Sequence, residues 1–173
     1  GMRLVTLSNP AREWLIVCEV GNRRVQIFDA VTGDPIKIIA EGMTPRDVAV
    51  YSPPDSSSPP LLFVADSWPN HMIRVYDLES GEHLRDIGNG EGGGEGHLNF
   101  PSGLEIFQPD PSHAPLLLIS ELDNNRISVF DALSGAFVKI IGNGQGSGEG
   151  NVSFPLKICV LPEEEDVGFY VLK

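Results

Sequence analysis

Four histidines, two cysteines and two glycine-rich loops are where chemistry would first be sought in this chain of 173 residues. Gly88, Gly90 and Gly93 satisfy G-x-G-x-x-G within "GNGEGGGEGHLNF". A dinucleotide site needs a strand before such a loop and a helix after it, so that amides face the pyrophosphate. The next segment here is instead "FPSGLEIF", a strand opened by proline. No Lys-Ser/Thr comes after either glycine run, which excludes a P-loop. Sharp turning and close approach to a neighbour account for the glycines. His71, His83, His97 and His113 scatter over different loops and strands, whereas zinc wants several converging imidazoles or thiolates. No Ser-His-Asp or Cys-His arrangement can be read from the spacing. The expectation is therefore no catalytic residue, no cofactor and no specifically bound metal.

Other reactive types have bland roles. Cys18 and Cys159 sit inside apolar runs, "LIVCEV" and "KICVLP", and read as buried reduced thiols, which suits the cytoplasm. Glu19 with Arg24, and Glu121 with Arg126, recur at one spacing and are expected to pair as structural ion pairs holding a loop. The net charge of −12 repels phosphate backbones and anionic lipid, which argues against nucleic acid and membrane surfaces as partners. No apolar run approaches the ~18 residues of a membrane span. "MRLVTLSNPAREW" turns polar too early for a signal peptide. The Gly before Met2 reads as the remnant of a removed tag.

The elements that position these residues repeat. "GNRRVQIFDAVTG", "PNHMIRVYDLESG" and "NNRISVFDALSG" align on Asp29, Asp77 and Asp131, about fifty residues apart, a period that signals stacked supersecondary units. Each phrase comes after an apolar run closed by an acid: "WLIVCE" at Glu19, "LLFVAD" at Asp66, "LLLISE" at Glu121. After each come a glycine (Gly33, Gly81, Gly135), a short strand-like piece, and an apolar stretch opened by Pro45, Pro101 or Pro155. The continuous apolar run fits a strand buried on both faces, and "RVQIF", "IRVYD" and "RISVF" carry the β-branched and aromatic residues of a third strand. In "D-x-x-[ST]-G" the Asp can fold its carboxylate onto the following amides while Gly takes the positive φ. Helical spacing is sustained nowhere. Four-stranded units with both faces apolar must stack on neighbours like themselves, and radial stacking gives a β-propeller.

The phrase "N-x-R-[IV]-x-[VI]-F-D", with "VAD" before it and "G-x-G-x-G-E-G-x-x-x-F-P" after it, closely resembles the NHL repeat family. The match is most specific in the third repeat, at Asn124, Arg126, Asp131, Gly142 and Pro155. The second repeat departs, with Met72 where the Arg belongs, and the first has "IAEGMTP" in place of the glycine loop. The resemblance implies an all-β, NHL-type propeller, usually six-bladed, that serves as a binding platform. Blade 1 is expected over 3–40, blade 2 over 45–88, blade 3 over 101–142 and half of blade 4 over 155–173, a partial ring of about three and a half four-stranded antiparallel blades. Six blades at this spacing need about 300 residues, so the chain reads as a piece of a longer protein, with completion of the ring by several chains as the alternative. The open terminal blades predict self-association.

The resemblance also places the binding rim, on the loops between second and third strands and between one blade and the next. Candidate binding residues there are Asn22, Arg23, Trp68, Asn70, His71, His97, Asp123, Asn124 and Asn125. The opposite rim carries Pro- and Ser-rich loops, "SNPARE", "SPPDSSSPP", "QPDPSHAP" and "PEEEDVG", read as solvated connectors. Peptide-amidating lyases, an enzyme branch similar to NHL propellers, hold zinc through inner-strand histidines. Arg46, Ser102 and Leu156 come directly after the inner-strand prolines here, with no histidine among them. A calcium-dependent lactonase of related type needs converging carboxylates; only Asp47 and Glu105 face inward, and Arg3 and Lys157 share that parity. Some NHL relatives bind single-stranded RNA through a basic face, but this rim carries Glu91, Glu95, Asp123, Glu149 and Glu121. The leading expectation is a non-enzymatic scaffold for a protein or peptide partner.

Overall fold

The computed structural model describes residues 1–8, 11–54, 58–161 and 168–172. Fourteen strands and no helix occur among them. The first sheet pairs β1 (Met2–Ser8), β2 (Ala11–Glu19), β3 (Arg24–Asp29) and β4 (Pro35–Ile39) antiparallel in chain order. The second does the same with β5 (Pro45–Tyr51), β6 (Leu61–Asp66), β7 (Met72–Asp77) and β8 (His83–Ile87), and the third with β9 (Pro101–Phe107), β10 (Leu116–Glu121), β11 (Arg126–Asp131) and β12 (Phe137–Ile141). β13 (Lys157–Leu161) and β14 (Gly168–Leu172) pair as a two-stranded start of a fourth. The architecture is a partial β-propeller. The second strand of the first sheet begins at Ala11, earlier than its apolar run, because Arg12 and Ala11 continue the ladder opposite Leu7 and Ser8.

The core lies between the sheets. Along β6, Leu62 and Val64 face the first blade, while Phe63 and Ala65 face the third. β10 repeats the division: Leu117 and Ile119 pack toward the second blade, Leu118 toward the half blade. This two-sided burial is why the second strands read as unbroken apolar runs. A fully buried Leu, Ile or Phe contributes about 1.5–3 kcal/mol, so the second and third blades are each stabilised from both sides. Among the described residues the first blade packs against the second alone, and its other face leaves Leu4 60% exposed.

The turn after each third strand forms as its residues require. Asp29 Oδ1 accepts the amides of Val31 and Thr32, both at 2.8 Å. Asp77 accepts those of Glu79 and Ser80, and Asp131 those of Leu133 and Ser134. These amides hold the carboxyls of Asp29 and Asp131 below the ordinary aspartate range, with the Thr32 and Ser134 amides the largest causes. Gly33, Gly81 and Gly135 close the turns at φ of 80°, 82° and 75°, where a side chain would be strained.

Inner strands approach closely at Gly103. A Cβ there would lie 2.6 Å from the Leu156 carbonyl oxygen and 2.7 Å from Lys157 Cα. Gly103→Ala is accordingly expected to cost about 1–3 kcal/mol by forcing β13 off β9. Urea unfolding measures it; an unchanged midpoint would mean that the half blade packs less tightly than its contacts indicate.

Candidate binding rim

The acid that closes the second strand, an Asn in the following loop and an Arg on the third strand come together in each of the three four-stranded blades. Arg24 Nε lies 3.0 Å from Glu19 Oε1, and Asn22 donates to Glu19 Oε2. Arg126 Nε lies 2.7 Å from Glu121 Oε1, and Asn124 Nδ2 donates to Glu121 Oε2 at 2.6 Å. The second blade makes the same node from displaced residues. Arg74, two positions beyond Met72 and so on the same face of β7, reaches Asp66 Oδ2 at 2.9 Å, beside Asn70 at 2.8 Å. Alternation along "MIRVYD" carries that signal, and an alignment on Met72 alone misses it.

The second and third nodes tie their loops backward. Asp66 Oδ1 accepts the Thr44 amide at 3.0 Å, and Glu121 Oε2 accepts the Asn99 amide at 2.8 Å. Arg126 also gathers the carbonyls of Gly93, Gly94 and His97, and Asn124 that of Gly92. The first glycine loop is thus clamped by the third blade. Expected among the rim acids, Glu121 is instead wholly buried, because the clamp needs its charge between the two loops.

The residue between Asn and Arg reaches forward. Arg23, His71 and Asn125 all sit at positive φ, 55°, 50° and 54°. His71 Nδ1 accepts the Phe100 amide at 3.0 Å and Asn125 Oδ1 the Phe154 amide at 3.0 Å, while Arg23 Nη2 donates to the Gly42 carbonyl at 2.8 Å. His71, expected on the binding surface, is therefore corrected to a buried latch, 5% exposed. Burial results from its partner on the next blade's loop, which one blade's sequence does not show.

Of the other candidates, Asn22, Arg23 and Asp123 stay exposed, and Asn70, Asn124, Asn125 and His97 are half-buried. Trp68 is 65% exposed. Its neighbour Ser67 is fully buried, with Oγ donating to the Pro101 carbonyl at 2.5 Å and its own carbonyl accepting the His71 amide at 2.8 Å. The indole thus stands on a pinned loop. Val20, Phe154 and Leu156 are exposed on the same rim, and the Arg46 guanidinium lies 4.7 Å over the Phe100 ring. Glu91, Glu95, Asp123 and Glu149 are exposed around them.

The inner strands neutralise their own charges. Arg3 reaches Glu105 at 3.0 Å, skipping the second blade, where Ala49 stands at the equivalent register. Lys157 approaches Asp47 at 4.0 Å, skipping Gly103 of the third. His83 and His113 pair locally with Asp86 and Asp110, and His97 Nδ1 meets the Glu95 carbonyl. No group of three or more His, Cys, Asp or Glu side chains converges among the described residues. Cys18 and Cys159 are free thiols, and burial pushes Cys18 up to about 11, leaving it protonated and a poor nucleophile at neutral pH. No described helix is long and apolar enough to cross a membrane.

No protein-family model and no curated protein matches the sequence. Solved structures are similar in fold. Against BBS1N in complex with ARL6DN, identity is 15% and the TM-score 0.67, over 98% of this chain and 49% of that one. Against hydrazine synthase of Kuenenia stuttgartiensis, identity is 19% and the TM-score 0.61, over 91% of this chain and 42% of that one. Both contain propellers, and the chain spans less than half the length of either.

The latch generates a test. His71→Ala removes the acceptor for the Phe100 amide and is expected to cost about 1–2 kcal/mol. His71→Asn, which copies Asn125, is expected to keep most of that in thermal or urea unfolding. Equal losses in the two variants would show that ring packing, not the hydrogen bond, holds the loop.

Proposed function

We propose that this chain is part of an NHL-type propeller and acts as a non-enzymatic scaffold, binding a protein or peptide on the rim of the glycine loops. One observation carries the reading: Trp68, a large aromatic, is held out to solvent by a loop pinned on both sides. An anchor already fixed in place loses little entropy on binding, and Trp is among the residues that dominate interface energetics. The exposed Val20, Phe154 and Leu156 supply further apolar area on this rim. Its exposed glutamates favour a protein partner over RNA, whose phosphates they repel. Self-association through the outward face of the first blade belongs to the same reading, since Leu4 and Ile38 stay exposed there. Light scattering at micromolar concentration is expected to give at least a dimer mass, and a clean monomer would refute that part.

The rim itself is tested by selecting peptides from a random library on the purified chain. Trp68→Ala is expected to weaken the selected peptides by about tenfold or more, as loss of a hot-spot aromatic does, without lowering the unfolding midpoint. Trp14 is buried, so a change in indole emission on binding reports Trp68. Peptides that bind Trp68→Ala as well as the parent would place the surface elsewhere.

A further inference from the structure

The rim opposite Trp68 holds a cavity of about 560 Å³ between the second and third blades. Tyr51, Leu61, Leu84 and Leu133 wall it together with prolines of the loop after β5, and Arg85 and Asp77 are its charged members. Arg85 crosses the gap, its Nη2 donating to the Ala132 carbonyl at 2.9 Å. Its Nε is shut off from water and meets no acceptor, an arrangement that is destabilising for a buried donor left without a partner.

The same gap one blade earlier shows what fills such a space. By strand register Trp14 is the counterpart of Leu61, and Lys37 of Arg85. Lys37 also crosses its gap, donating to the Leu78 carbonyl at 2.8 Å. Trp14, only 4% exposed, fills the space beneath it, with Lys37 Nζ and the Arg12 guanidinium each 4.9 Å from the indole centroid. Arg12 Nε likewise has no hydrogen-bond partner and rests against that ring, whose face attracts cations. Arg12 then closes the gap through Glu79 at 3.0 Å. Between the second and third blades Leu61 replaces the indole and Leu133 stands at the Glu79 position, so ring and closing ion pair are both missing and a cavity remains.

We propose that this cavity is a binding site for a small planar aromatic molecule of about indole size, seated against Leu61 with a ring face toward the Arg85 guanidinium. The volume is that of a small-molecule pocket, within the usual span of about 300–1,000 Å³, and has room for a ring the size of the Trp14 indole that fills the sister gap. The site is on the opposite rim from Trp68 and is independent of the function proposed there.

Amide chemical shifts of the whole chain test it, with indole as probe, cyclohexanol as non-aromatic control and N-acetyl-tryptophanamide as peptide mimic. Indole is expected to shift the amides of Leu61, Leu84, Arg85 and Leu133 saturably, with a dissociation constant below roughly 5 mM, and at least fivefold more tightly than either other probe. Leu61→Trp, which restores the ring of the sister gap, should abolish these shifts and raise the unfolding midpoint. Should that variant not fold, Leu133→Glu at the half-exposed mouth must weaken indole by about fivefold or more. Absent or non-saturating shifts, cyclohexanol binding as tightly as indole, or binding unchanged in these variants would overturn the site. Tighter binding of the tryptophanamide would overturn the small-molecule assignment in favour of a partner's side chain.

Discussion

Burial between blades is the constraint on which everything else depends. Neither face of a four-stranded sheet such as β5–β8 can meet water, since Leu62 and Val64 point one way and Phe63 and Ala65 the other. The protein therefore has a series of thin cores, each shared by two sheets. Apolar contact of this kind is non-directional; it presses sheets together without saying how far each is turned or slid.

Polar groups supply that missing direction, because hydrogen bonds have geometry. The acids of the second and third nodes reach back to the preceding loop, and the left-handed residue after the Asn reaches on to the next. On the outer strands Lys37 and Arg85 reach forward to the turn of the following blade. A carboxylate between an Arg, an Asn and a backbone amide has its lone pairs satisfied, which is what makes a buried charge tolerable. Trp68 owes its fixed pose to this framework.

Much of the architecture is legible along the chain. The apolar runs mark the second strands, the Asp and Gly of each turn mark the hairpins, and the two acid–Arg spacings mark two of the three nodes. Partnerships between repeats are not legible in this way. His71 and Phe100 are 29 residues apart, and Arg3 and Glu105 are 102 apart, with no local spacing to announce either. Arg74 is hidden by a two-residue displacement that preserves the strand face. The cavity is hidden differently: an ordinary Leu61 means little until it is superposed on Trp14. The Pro-rich loop beside it has, by composition alone, only the look of a connector.

The ion pairs that skip a blade change how the array comes apart. In a chain of stacked repeats, stability is ordinarily a sum of unit terms and nearest-neighbour terms, so an end unit can fray alone. Arg3 with Glu105, and Asp47 with Lys157, add couplings between second neighbours. Losing the first blade then also uncovers Glu105 in the third, which is 15% exposed in its side chain. Unfolding becomes more nearly all-or-none than the stacking alone would make it. The small residues at the skipped positions, Ala49 and Gly103, are thereby determinants of cooperativity, although neither carries a charge nor forms a side-chain hydrogen bond.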